Sequence, residues 1–108
     1  MSKVSVLVAA YNSQSYLQQC LDSLLSQTWK DIQVICVDDA STDATPDMLD
    51  HAAENDGRIV VKHLQQNAGQ AKARNIALQI ADGDYVCMLD SDDWFSADAV
   101  ERAAMVLD

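Results

Sequence analysis

The run "LDSDDWF" sets Asp90, Asp92 and Asp93 at the end of an apolar stretch, "YVCM", with only Ser91 between them. A second acidic pair, Asp38 and Asp39, ends the apolar stretch "IQVICV". Carboxylates gathered on one rim raise one another's pKa unless a cation neutralises them. Hard oxygen donors at short spacing suit Mg²⁺ or Mn²⁺, and magnesium takes one or two carboxylates while water and ligand phosphates fill its other positions. The chemistry to expect is therefore the holding of a phosphate-bearing ligand through a divalent ion. Each cluster also has a plainer reading, because aspartate is common at helix starts and in Asx turns.

Other polar residues are less specific. Tyr11 and Asn12 follow the first apolar stretch, and Tyr11 alone reads as a core plug. In "NAGQAKARN" Lys72 and Arg74 fall in the first turns of an expected helix, whose amino end attracts anions; the plainer reading is a solvated face. His51 and His63 show neither metal spacing nor a triad pattern and are expected at the surface, and Trp29 and Trp94 are expected to pack at element ends.

Four short runs rich in β-branched residues must position these groups: residues 4–9, 32–38, 59–64 and 85–90. Helical patterns alternate with them. Tyr16, Leu17, Cys20, Leu21, Leu24 and Leu25 form one stripe, with Ser13 as a cap. Thr45 is expected to cap the second helix, with Pro46 in its first turn and an end near Gly57. Ala73, Ile76, Ala77 and Ile80 mark the third, and Val100, Ala103, Ala104 and Leu107 mark the inward face of the fourth. Alternating strands and helices, with strands apolar on both faces, predict an α/β fold. The expected architecture is Rossmann-like and doubly wound, a mainly parallel sheet in the order 3-2-1-4 with helices on both faces. Ligands of such sheets sit beyond the carboxyl ends of the strands, where the order reverses. The acidic clusters and Tyr11 fall there.

The chain has 108 residues, enough for one core. Its net charge of -10 argues against nucleic acid or an anionic membrane as a partner. The three cysteines, Cys20, Cys36 and Cys87, lie in apolar stretches and read as reduced core residues. The start, "MSKVSVLVAAYN", is too short and weakly basic for a signal peptide or a membrane span. A cytoplasmic location is expected, at the cytoplasmic face of the membrane if a longer protein carries an anchor.

Five motifs, "VSVLVAAYN", "SLLSQT", "VDDASTD", "NAGQAKARN" and "LDSDDWF", stand in the order and at about the separations seen in family 2 of the inverting glycosyltransferases. The resemblance covers nearly the whole chain and implies the GT-A fold and a setting in polysaccharide biosynthesis. It implies that Tyr11 packs on a nucleobase and that Asp39 accepts from a base nitrogen, usually of uracil, while Asp38 shapes the turn. Ala9 and Asn12 are implied to line the nucleotide, Lys72 and Arg74 to lie near it, and Asp90 and Ser91 to meet the ribose. Asp90 and Asp92 are the implied metal pair for Mn²⁺ or Mg²⁺, with Asp93 as a further ligand.

The implied reaction is transfer of a sugar from a nucleotide-diphospho-sugar, with UDP as the expected nucleotide, to the hydroxyl of a sugar, glycan or lipid-linked acceptor. Residues 1–108 correspond to the donor-binding half, truncated before the acceptor half, and the general base is expected beyond Asp108. Turnover by these residues alone is not expected. Ala10 replaces a common Pro and Ala40 a common Gly of the family. The fourth strand should present an open edge, which predicts homodimerisation or aggregation. Two alternatives differ in kind. A non-catalytic nucleotide-binding or assembly module needs no base, and an aspartate-dependent phosphotransferase of receiver type needs its acidic pair after the first strand, where this chain has Tyr11 and Asn12. A sugar-phosphate nucleotidyltransferase needs a Gly-rich basic loop that "AAYNSQS" does not provide.

Overall fold

A computed structural model describes residues 2–107, with the side chain of Leu107 outside the described residues. Strands and helices alternate: β1 (Val4–Ala10), α1 (Leu17–Leu25), β2 (Ile32–Asp38), α2 (Thr45–Asn55), β3 (Ile59–His63), α3 (Gln70–Ile80), β4 (Tyr85–Met88) and α4 (Ala99–Leu107). The four strands form one parallel sheet in the order β3-β2-β1-β4. Val4 stands opposite both Ile32 and Tyr85, so β1 is the central ruler of the sheet.

One face of the sheet carries α1, α2 and α4. Val4, Val6, Val8 and Ala10 alternate onto it and meet Leu17, Cys20, Leu21 and Leu24, which recur every three or four residues along α1. Leu49 of α2 and Val100 and Ala104 of α4 complete this core. Burying each such leucine contributes about 1.5–3 kcal/mol. The opposite face is thinner, with Leu7, Ile35 and Val37 beneath Ala73 and Ala77 of α3. Small residues on α3 let it lie close to the sheet, which brings its amino end to the strand ends.

Several local expectations fail for reasons visible in the packing. Ser13 does not cap α1 through its hydroxyl; its carbonyl accepts from the amides of Tyr16 and Leu17, and the hydroxyl points across the fold. Thr45 is the first residue of α2 and does not cap it. Its hydroxyl accepts from the Ser13 amide, while Asp43 Oδ1 accepts from the Thr45 amide at 2.9 Å. Pro46 does occupy the first turn. Ala103 is exposed, whereas Val100 and Ala104 are the buried residues of α4 among the described side chains; the Leu107 side chain lies outside the described residues. Trp29 is buried and donates to the Ser2 carbonyl, whereas Trp94 is 59% exposed on the loop after β4. Burial on both faces holds for β1 and β2 but not for β4, where Val86 and Met88 are exposed on the side of α3. No helix among the described residues is long and apolar enough to cross a membrane.

Two polar clasps close the sheet's neighbours onto it. The buried amide of Gln27 donates to the carbonyls of Ser23 and Ser96 and accepts from the Val100 amide, which ties the end of α1 to the start of α4. At the other end Ser5 Oγ donates to Gln33 Oε1 and accepts from the Gly83 amide. A Cβ on Gly83 would stand 2.6 Å from Ser5 Oγ and 2.7 Å from the Ser5 nitrogen, so only glycine permits this approach of the α3–β4 turn to β1.

Candidate functional site

A cleft of about 660 Å³ opens at the carboxyl ends of β1, β2 and β4, on both sides of the point where strand order reverses between β1 and β4. Parallel strands all deliver their following loops to this end, which is why residues 9–13, 39, 67–70 and 90–92 meet there.

The base of the cleft is built around Asp39. It is 4% exposed, its amide donates to the Ala10 carbonyl, and its carboxylate oxygens accept from the amides of Ala68 at 2.7 Å and Gly69 at 3.0 Å. The aspartate thereby clamps the β3–α3 loop, and Gly69 takes a φ of 93° that suits glycine as the chain enters α3. Tyr11, 51% exposed, forms a wall of the cleft and is not a core plug. Asn12 holds a left-handed conformation (φ 48°), and its Oδ1 accepts from the Thr42 amide while its own amide donates to Ser41 Oγ. The Asn12 carboxamide is thus engaged in joining two loops. Ala9 lines the floor.

Asp90, Asp92 and Asp93 each offer a carboxylate oxygen, and these oxygens lie within 4.8 Å of one another. Three hard donors at that separation fit one Mg²⁺ or Mn²⁺ with open positions left for other oxygens. Asp90 is also the end of a chain of contacts from α3: Gln70 Nε2 donates to its Oδ1 at 3.1 Å, and Arg74 forms an ion pair with the same oxygen. Both donors meet Oδ1, which leaves Oδ2 for other ligands. The field of the cluster reaches Cys20 beneath it, whose thiol is pushed up to about 12, first by burial and then by Asp93, Asp92 and Asp90. Burial also raises Cys36 and Cys87, and all three cysteines are free thiols.

Two expected members stand apart. Asp38 does not join the other carboxylates on the cleft. Its buried side chain turns away from the cleft and shapes the turn, as the resemblance implies, with Oδ1 accepting from the Ser41 amide and Oδ2 meeting His63. Successive residues at a strand end point to opposite sides, so Asp38 and Asp39 cannot share a ligand. Lys72 is exposed and does not line the cleft, while Arg74 reaches it through Asp90. The sequence reading also missed Ser13 and Tyr16, and it passed over Asn67, Gly69 and Gln70 within a motif it had singled out. The hydroxyls of Ser13 and Ser91 lie 2.6 Å apart and bridge the cleft from β1 to the acidic loop. No spacing rule finds this pair, since 78 residues separate its members.

A parallel 3-2-1-4 sheet with an acidic cleft at its switch point defines a Rossmann-like domain, and its match to solved glycosyltransferase structures makes it GT-A type. The model of glycosyl transferase family 2 matches residues 5–108, and the chain belongs to that family. It is 44% identical over 99 residues to the glycosyltransferase GlyA of Streptococcus pneumoniae, covering 92% of this chain and 14% of that protein. The crystal structure of S. aureus TarS 1-349 in complex with UDP superposes with a TM-score of 0.90 at 36% identity, over 97% of this chain and 32% of that one. The mannosyltransferase PcManGT of Pyrobaculum calidifontis, in complex with GDP-Man and Mn²⁺, superposes with a TM-score of 0.88 at 30% identity, over 95% of this chain and 31% of that one. The chain spans less than half the length of the curated relatives it matches.

Proposed function

We propose that the cleft binds the nucleoside diphosphate of a sugar donor, with UDP as the preferred nucleotide, and that the domain takes part in glycosyl transfer with inversion. The observation that carries this reading is the pairing, in one cleft, of the Tyr11 and Asp39 wall with the three-carboxylate cluster. Tyr11 offers a ring face to a nucleobase, and each Asp39 oxygen keeps a lone pair after accepting from the loop. Asp90 and Ser91, which line the same cleft at the β4 end, would meet the ribose. Asp90, Asp92 and Asp93 would hold Mn²⁺ or Mg²⁺, which supplies Lewis-acid stabilisation of the charge developing on the diphosphate. That TarS was crystallised with UDP and PcManGT with GDP-Man and Mn²⁺ supports the ligand class.

In the proposed reaction an acceptor hydroxyl attacks the anomeric carbon from the face opposite the diphosphate. The bond from that carbon to the phosphate oxygen breaks with its electron pair leaving on the diphosphate, and a carboxylate base takes the hydroxyl proton. We assign the base and the acceptor contacts to sequence following Asp108 in a longer protein, so residues 1–108 should bind donor without turning it over. Calorimetric titration of UDP into the purified chain tests this. We expect saturable heat with Mn²⁺ present and none with a chelator; equal binding under both conditions would remove the metal from the site.

The same reading covers self-association. Among the described residues β4 is an edge strand of the sheet, with Val86 and Met88 exposed. We propose that a second copy pairs along this edge. Light scattering should then report a dimer whose fraction rises with concentration, and a monomer at all concentrations would overturn it.

A further inference from the structure

We infer that His63 is a positioning residue for the cleft, fixing from behind the turn 38–41 that carries Asp39 and Ser41. This rests on the donor-site reading above. His63 Nδ1 lies 2.9 Å from Asp38 Oδ2, and Nε2 lies 2.7 Å from Asp50 Oδ1. The imidazole therefore spans from the end of β2 to α2, on the opposite side of the turn from the cleft.

The path from His63 to the cleft is short and made of single contacts. Asp38 is 2% exposed, and its second oxygen accepts from the Ser41 amide at 3.0 Å. Ser41 Oγ in turn accepts from the amide of Asn12, which lines the cleft. Between them Ala40 adopts a φ of 60°, a conformation that costs an alanine on the order of 1 kcal/mol and so needs its flanks held. Asp39 leaves the same turn on the other side and clamps Ala68 and Gly69. If Asp38 loosens, both flanks of Ala40 lose their anchor.

The brace is complete only when both ring nitrogens carry a proton. A neutral imidazole has one N–H, so one of the two carboxylates then faces a lone pair. Asp50 is more than half exposed and can turn to water, whereas the Asp38 side chain cannot. The neutral ring therefore keeps its N–H toward Asp38 and releases Asp50, and the tie that holds Asp38 and its turn against α2 is lost. The charged groups acting on the ring are Asp50 from α2 and Asp38 from β2, and their hydrogen bonds, that of Asp50 first, hold the His63 pKa above its ordinary value against partial burial. A raised value means that the brace is fully present below the ordinary imidazole pKa and is lost as pH rises through the raised one.

The test is amide hydrogen exchange by NMR on the whole chain, from about pH 6 to about pH 9, at Ser41, Ala68 and Gly69. In the wild type, protection relative to intrinsic exchange should fall about fivefold across the His63 titration, while Val6 and Val34 in the sheet centre stay unchanged. His63→Gln, which keeps one donor and does not titrate, should show reduced protection with no pH step. Asp50→Asn should move the step to lower pH. Equal protection in wild type and His63→Gln with no step in either, or an unmoved step in Asp50→Asn, would overturn the proposal. UDP affinity with Mn²⁺, measured in parallel, should weaken by a similar factor in His63→Gln. If the wild type takes up no UDP at any pH, the donor reading fails, and the amide data still decide the brace.

Discussion

On the proposed donor site, Asp92→Ala should remove the Mn²⁺-dependent part of UDP binding, weakening affinity by roughly a hundredfold or more, and should leave the unfolding midpoint almost unmoved. The two expectations come from the same geometry. Asp92 is exposed on the loop after β4, so truncating it empties no core volume and changes stability by about 0.5 kcal/mol at most. Its carboxylate is nevertheless one of three that converge within 4.8 Å, and a divalent ion deprived of one of three protein oxygens loses both charge and geometry. Asp90 is a poorer choice for this experiment, because it also anchors Gln70 and Arg74. Binding calorimetry with Mn²⁺ and with chelator, run beside a thermal melt, separates the two effects. Retention of metal-dependent affinity by Asp92→Ala would show that the ion, if bound, sits elsewhere.

Asp39→Ala acts through the fold as well as the ligand, and unfolding in urea should show a loss of about 2–4 kcal/mol. A buried carboxylate accepting from two amides makes hydrogen bonds stronger than neutral ones, and alanine leaves the amides of Ala68 and Gly69 without that acceptor. The damage should spread along the chain. Gly69 directly precedes α3, and α3 carries Gln70 and Arg74 to Asp90, so releasing the loop also releases the ties of the carboxylate cluster to that helix. Asp39→Asn, whose carboxamide keeps one acceptor oxygen, should lose about half as much stability. A cost below about 1 kcal/mol for Asp39→Ala would mean that the loop is held by other contacts and that Asp39 serves the ligand alone.

Much of this arrangement is legible in the sequence. Apolar alternation and helical spacing are short-range properties, so the order of elements, the parallel sheet and its 3-2-1-4 topology follow from patterns within a few tens of residues together with the handedness of crossovers. Once that topology is accepted, Tyr11, Asp39 and Asp90–Asp93 must arrive at one end, because each follows a strand directly. The acidic run, three residues within four positions, had to arrive there on a single loop, and the fold then brings one oxygen of each carboxylate within 4.8 Å of the others.

What could not be read is which way each side chain turns once it arrives. Asp38 and Asp39 are adjacent and identical in chemistry, yet one faces His63 and the other the cleft; only the register of β2 against its neighbours makes that choice. His63 is exposed, as expected, but its pairing with two carboxylates could not be read because they are 13 and 25 positions away. Ser13 was assigned to a helix it does not cap because Ser91, its partner, is brought near by β1 pairing with β4. Trp94 was expected to pack, but it stays 59% exposed in an open groove that it shares with Arg74, Met88 and Phe95. Local patterns along a chain settle which elements form and at which end of the sheet the polar residues gather, since those depend on near neighbours and on chain handedness. Pairings across tens of residues depend on the relative rotation and register of packed elements, and that information exists only once the elements have docked.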